Sequence, residues 1–200
     1  AFAHLAAVNR LAETGLRWTS LFAGGGGAGT AVGAQWLVLD TGRFRPGEPL
    51  REHTLRVLEQ VPGLTRQADL SGELQRRGYW ASYNRPFLPE VRALSGHAAA
   101  EAELGGLFSF WHGPRARIFA RLAPAVRDLS GMRALMSRNA PGEDEESAPG
   151  GPGGPGHAVS ARMDLAAAVG LRVPNGGIDA KVTSGRLLRD LRCQAISGPS

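Results

Sequence analysis

Cysteine is nearly absent from these 200 residues, and lysine with it. With Cys193 as the sole thiol, no disulfide can form within the chain, and neither a disulfide-stapled scaffold nor a cysteine-built zinc site is available. Cysteine usage taken alone favours a reducing compartment. Lys181 is the only lysine, which leaves 22 of the 23 basic residues as arginine. A GC-rich coding sequence produces that bias without selection for binding. The arginines are scattered, with no Arg-Gly-Gly repeat and no basic run longer than two, so the formal charge of +5 does not read as a nucleic-acid footprint. Contact with an anionic membrane surface stays compatible with it. No run of about 18 apolar residues is present that could span a bilayer as a helix. His4, His53, His97, His112 and His157 show no zinc-type spacing, and no metal or other cofactor is indicated.

What is present is an ordinary globular composition: 42% apolar residues over a length that one core can serve, so a single domain over 1–200 is the expectation. The apolar start, residues 1–7, has no Met, no basic n-region and no cleavage site, and reads as the middle of a longer chain with any signal peptide upstream. Leu5, Val8, Leu11 and Ala12 have helical spacing, and Thr14 caps a second helix through Phe22. Gly24, Gly26 and Gly29 fit a GxGxxG pattern, but they follow a helix and precede a strand, the wrong order for dinucleotide binding. Residues 35–40 and 55–60 read as strands, with turn chemistry at Arg45-Pro46-Gly47 and a stop at Pro62-Gly63. Residues 68–77 are helix-capable, 88–107 read as short helix and loop, and two helices fall between Pro114 and Arg138. Residues 141–156 carry Glu, Asp, Pro and Gly with almost nothing to bury, the composition of a disordered loop. Asn175-Gly176-Gly177 then reads as a tight turn before a strand at Ile178, Ala180 and Val182, and a last strand or helix carries Leu187, Leu188 and Leu191. Strands and helices mixed in this order give the α+β class.

The most informative run is Gly78-Tyr79-Trp80-Ala81-Ser82-Tyr83-Asn84-Arg85-Pro86-Phe87. Its aromatics suit a half-buried strand that ends before Pro86 and leaves Asn84 at the strand end. An amide there can either cap the turn or donate to developing negative charge, as an oxyanion hole requires. Arg115, behind Gly113-Pro114, opens a helix at the end that disfavours a cation; it is either a solvated first-turn residue or has an anionic or carbonyl partner. Trp80 and Trp111 beside these two are core packing or pocket walls. Cys193 follows an apolar stretch with no histidine near it in sequence and reads as a small buried hydrophobe.

Together with Val8-Asn9-Arg10-Leu11-Ala12, Gln35-Trp36-Leu37-Val38-Leu39-Asp40, residues 57–64, Gly113-Pro114-Arg115-Ala116, residues 178–184 and Ser197-Gly198-Pro199, that run makes the chain resemble the phospholipase B-like family. The order and spacing of the motifs agree from about Val8 to the last residue, interrupted mainly at 24–33 and 141–157. The resemblance implies an N-terminal-nucleophile hydrolase with a four-layer αββα sandwich, incomplete in this chain, which would be the C-terminal part of one such domain. It implies internal cleavage that exposes a nucleophilic Cys upstream of Ala1, so that this chain has no nucleophile of its own. In enzymes of that kind the freed α-amine, with an ordinary pKa of about 7.7–8.0, can serve as the base. Asn84 would match the oxyanion residue and Arg115 the active-site arginine, acting with the upstream part of the precursor on a phospholipid or other acyl substrate in lipid degradation. It also implies a glycoprotein of the lysosome lumen or a secreted one. The chain departs from the family in lacking the Cys pair within 143–156 and a sequon at Ala93-Leu94-Ser95. The competing reading is a non-catalytic homologue serving as scaffold or binding module.

Overall fold

The computed structural model describes residues 2–25, 33–140, 142–148, 154–161 and 180–196. The chain divides into two compact units, Ala1–Glu103 and Leu104–Ser200. Both contain helices and strands, consistent with the α+β class.

The first unit opens with α1 (Phe2–Leu11) and α2 (Gly15–Gly24). Thr14 separates them in extended backbone, its Oγ1 accepting the Arg17 N–H at 3.1 Å as an N-cap. Most of the glycine pattern at 24–29 lies outside the described residues. Strands β1 (Ala34–Leu39), β2 (Leu55–Val61) and β3 (Leu64–Asp69) form an antiparallel sheet in the order β1-β2-β3. Gln35 faces Glu59 across the first pair, and Val61 faces Leu64 across the second. Pro62-Gly63 joins β2 to β3: proline presets its own φ and Gly63 adopts a φ of 81° that an L side chain resists. The helical spacing over 68–77 is overruled at its start, since Ala68 and Asp69 belong to β3 and the helix, α3, spans Ser71–Arg77. Sequence patterning misses β3 because Leu64-Thr65-Arg66-Gln67-Ala68-Asp69 alternates poorly between apolar and polar residues.

β2 is the centre of the unit. Leu58 packs on one face with Val8 and Phe22 from α1 and α2, ringed by Trp18 and Trp36. Leu55 and Val57 pack on the other with Leu70, Leu74, Trp80 and Phe87. Full burial of each such side chain contributes about 1.5–3 kcal/mol.

The strand expected through Tyr79, Trp80 and Tyr83 does not form, and residues 79–88 carry neither strand nor helix. α3 stops at Gly78 with φ 75°, Asn84 turns left-handed at φ 58°, and Pro86 has no N–H. Two left-handed residues and a missing donor leave no straight run for a ladder. Two short helices follow, α4 (Pro89–Leu94) and α5 (His97–Leu104).

In the second unit, α6 (Pro114–Leu122) and α7 (Leu129–Met136) are separated by a 3₁₀ turn over Ala123–Ala125 that absorbs Pro124. The Asp128 carboxylate caps α7, accepting the Gly131 N–H at 2.7 Å. β4 (Ala180–Val182) packs against α7 and pairs with β5 (Gln194–Ile196), with α8 (Gly185–Arg189) between them. Ile118, Leu135, Ala180 and Val182 are buried. The expected turn at 175–177, the start of the strand at Ile178 and the Ser197-Gly198-Pro199 motif lie outside the described residues. No helix of the described residues is long and apolar enough to cross a membrane.

Of the disordered loop expected over 141–156, residues 141 and 149–153 lie outside the described residues, and the described part carries local structure. Within 142–148, Glu145–Ser147 forms a 3₁₀ turn, and Asp144 and Ser147 are fully buried. Composition misleads here because Asp144 is buried as an ion: Arg121 reaches it at 2.8 Å and Arg138 at 2.7 Å, and Glu146 accepts from Arg121 at 3.2 Å. Burial pushes the Asp144 carboxyl up, but the hydrogen bonds from Arg138 and Arg121 outweigh it and hold the group below its ordinary 3.8. Hydrogen bonds to a charged group contribute about 1.5–3 kcal/mol, so Asp144→Asn should cost roughly 2 kcal/mol in urea unfolding at pH 7. Because the folded-state value is depressed, this contribution is complete above pH 3.8 and lost as the pH falls below it. The gap between variant and parent should close in acid, and equal stability at pH 7 would show that the pairs contribute nothing.

Candidate functional site

Glu59 sits on β2 among apolar neighbours and is 1% exposed. A carboxylate so buried must be hydrogen-bonded, and three donors meet it: the Gln35 amide from β1, the Phe87 N–H at 2.6 Å and the Leu88 N–H at 2.8 Å. The chain at 86–88 has no ladder, so these two amides need a partner elsewhere, and the carboxylate supplies it. Phe87 is thereby held where its ring meets Trp80 edge-on at 4.8 Å. Sequence reasoning missed Glu59; the available signal was a charged residue, beside the polar Gln60, between the apolar Val57-Leu58 and Val61.

The fastened segment forms one wall of a cleft of about 370 Å³. Gln35 and Glu59 contribute from the sheet, Asn84 and Arg85 from the fastened segment, and Ser95 and His97 from the junction of α4 and α5. Asn84 is exposed, on a left-handed residue, and at the cleft. Beneath it Tyr83 is buried, and burial, followed by the Tyr79 hydroxyl, pushes its phenol well above the ordinary range, so it is neutral. Ser95 Oγ lies 3.1 Å from His97 Nδ1 and 3.3 Å from the Arg92 carbonyl. Among the described residues no third group hydrogen-bonds His97, so the pair lacks the orienting element of a serine-hydrolase triad.

Of the residues singled out in the sequence, Trp80 belongs to this unit but is absent from the cleft lining, packing instead on Leu55, Val57 and Leu70. Arg115 and Trp111 belong to the second unit. Arg115 stands in the first turn of α6 and donates through Nε to the Ala158 carbonyl at 3.1 Å and through a terminal nitrogen to the Gly156 carbonyl at 3.3 Å. Carbonyl partners thus settle a cation that the helix end disfavours, and burial lowers its pKa from the ordinary arginine value. Trp111 is half-buried, edge-on to Phe110 at 4.9 Å. Cys193 is exposed rather than buried, because the apolar stretch before it faces outward, with Leu188 and Leu191 also exposed.

The left-handed backbone at Asn84 has a measurable consequence. Asparagine tolerates it, glycine does so freely, and other L residues lose about 1–2 kcal/mol. Asn84→Ala should therefore be about 1 kcal/mol less stable to unfolding than Asn84→Gly, which lacks the same side chain but accepts the turn. An alanine variant as stable as the glycine variant would contradict the turn.

Comparison with known proteins agrees with the motifs. The sequence matches the phospholipase B family over residues 2–200. It is 35% identical over 199 residues to phospholipase B-like protein F of Dictyostelium discoideum, covering 95% of this chain and 34% of that protein. It is 40% identical over 207 residues to phospholipase B-like 2 of Bos taurus, covering 96% of this chain and 34% of that protein. To phospholipase B-like 2 of Caenorhabditis elegans it is 35% identical over 204 residues, with the same coverage. The chain therefore belongs to the phospholipase B family, and it spans about a third of the length of these relatives.

Proposed function

We propose that this chain is the C-terminal part of a phospholipase B-like hydrolase of the N-terminal-nucleophile type. On this reading it forms an incomplete share of an αββα sandwich and works with an upstream part of the same precursor. The substrate is a phospholipid or other acyl compound, and the setting is the lysosome lumen or the cell exterior. The nucleophile is an upstream Cys, with its own α-amine as base. Asn84 donates its amide to the oxyanion of the tetrahedral intermediate, and Arg115 positions substrate or nucleophile.

The observation that supports this reading most is the placement of Asn84: an exposed residue on a left-handed turn that lines the cleft. A donor held before the reaction stabilises developing charge without reorganising, which is what an oxyanion hole does. Arg115 supports a second reading, because its bonds to the Gly156 and Ala158 carbonyls serve a scaffold as well as an enzyme. One variant separates the two. Asn84→Gly keeps the turn and removes the amide, so in the complete processed protein it should lower turnover by about 10²–10³, equivalent to about 2.7–4 kcal/mol, in protein that is still folded at the assay temperature. Normal turnover would remove Asn84 from the site, and a parent protein without turnover would favour the scaffold. The 200-residue chain alone should release no fatty acid from phospholipid vesicles; release that depends on Cys193 would overturn the assignment of the nucleophile.

A further inference from the structure

The three strands of the first unit are not guarded alike. β2 carries Arg56 and Glu59, and β3 carries Arg66 and Asp69, whereas β1, Ala34-Gln35-Trp36-Leu37-Val38-Leu39, has no charge and no proline. β3 can stand at an edge: Arg66 pairs with Glu90 of α4 at 3.2 Å, putting an ion pair beside it. Among the described residues β1 pairs with β2 alone, so its far side presents backbone donors and acceptors without a ladder. Two of its apolar side chains are exposed as well. Leu37 and Leu39 are 41% and 56% exposed, while their cross-strand partners Val57 and Leu55 are 0% and 3% exposed. Phe44, just beyond the strand, is 48% exposed. Sheets that meet water blunt their edges with charge, proline or bulges, and an uncharged apolar edge is an invitation to another strand.

From this we propose that the open edge of β1 receives a β-strand from the part of the longer protein outside these residues, whose side chains cover Leu37 and Leu39. The inference rests on the reading of this chain as part of a longer precursor and names the surface by which the two parts join. The relatives are about three times as long as this chain, since it covers 34% of each, so chain to fill the edge is present in them. A strand satisfies both needs at once, giving partners to the backbone of β1 and burying its leucines; an acyl chain would meet only the second.

Hydrogen exchange tests this on the 200-residue chain, at several concentrations, and on the longer precursor. The β1 amides that point away from β2 should exchange freely in the chain alone and at least about tenfold more slowly in the precursor. Leu37→Lys should leave the melting temperature of the chain alone nearly unchanged and lower that of the precursor. Equal exchange in the two forms, or a Leu37→Lys effect confined to the chain alone, would overturn the assignment of the edge. Protection that grows with concentration in the chain alone would also overturn it, in favour of a second copy. Failure to obtain any longer product from the reading frame would instead sink the precursor reading, a separate outcome.

Discussion

A single buried carboxylate determines how the first unit presents its cleft. Glu59 is on the central strand with both faces covered, where an unpaired ion would cost several kcal/mol. Its oxygens are satisfied from two directions: the Gln35 amide beside it in the sheet, and the consecutive N–H groups of Phe87 and Leu88 from a stretch that has no ladder. Each partner needs the other. Without the carboxylate two amides lose their acceptor, and without those amides the ion is stranded. The mutual requirement brings Phe87 onto Trp80 and closes the apolar face over Leu55 and Val57. It also fixes where the chain leaves its left-handed turn at Asn84, three residues earlier.

Much of this was readable in the sequence where one local force dominates. Thr14 caps α2 because its side chain and its spacing agree, and β1 and β2 appear because their apolar runs have few rivals. Reading fails where tertiary partners decide. Tyr79, Trp80 and Tyr83 have the composition of a strand, yet their stretch is irregular because Gly78 and Asn84 turn left-handed and Glu59 takes the next available amides. The acidic run looks unable to bury anything, yet Asp144 is fully buried, because Arg121 and Arg138 from α6 and just beyond α7 provide the counter-charge that composition cannot pair. Cys193 differs in the opposite sense: the stretch before it has the composition of core, yet Leu188, Leu191 and Cys193 are exposed. Of the candidate site, Asn84 lies at a cleft and Arg115 finds carbonyl partners, but Glu59, which orders the cleft wall, gave only the faint signal of a charge in a strand that also carries Arg56 and Gln60.

The family assignment and the physical reading support one another without overlapping. Membership follows from similarity along nearly the whole chain, while the cleft, its turn and its buried carboxylate follow from these residues alone. The chain corresponds to about a third of its relatives, and among the described residues β1 pairs with β2 alone. In the first unit the cleft is lined by Asn84 on its left-handed turn, with Glu59 ordering the segment that follows.

The most direct test is amide exchange at Phe87 and Leu88 in Glu59→Gln. The substitution keeps the shape and removes the charge, and it replaces one acceptor oxygen with a donor that cannot serve a backbone N–H. The account predicts faster exchange at whichever of the two amides faces the new NH2 group, with the amides paired between β2 and β3 unchanged. Protection at Phe87 and Leu88 equal to that of the parent would show that the wall stands without Glu59 and would contradict the account.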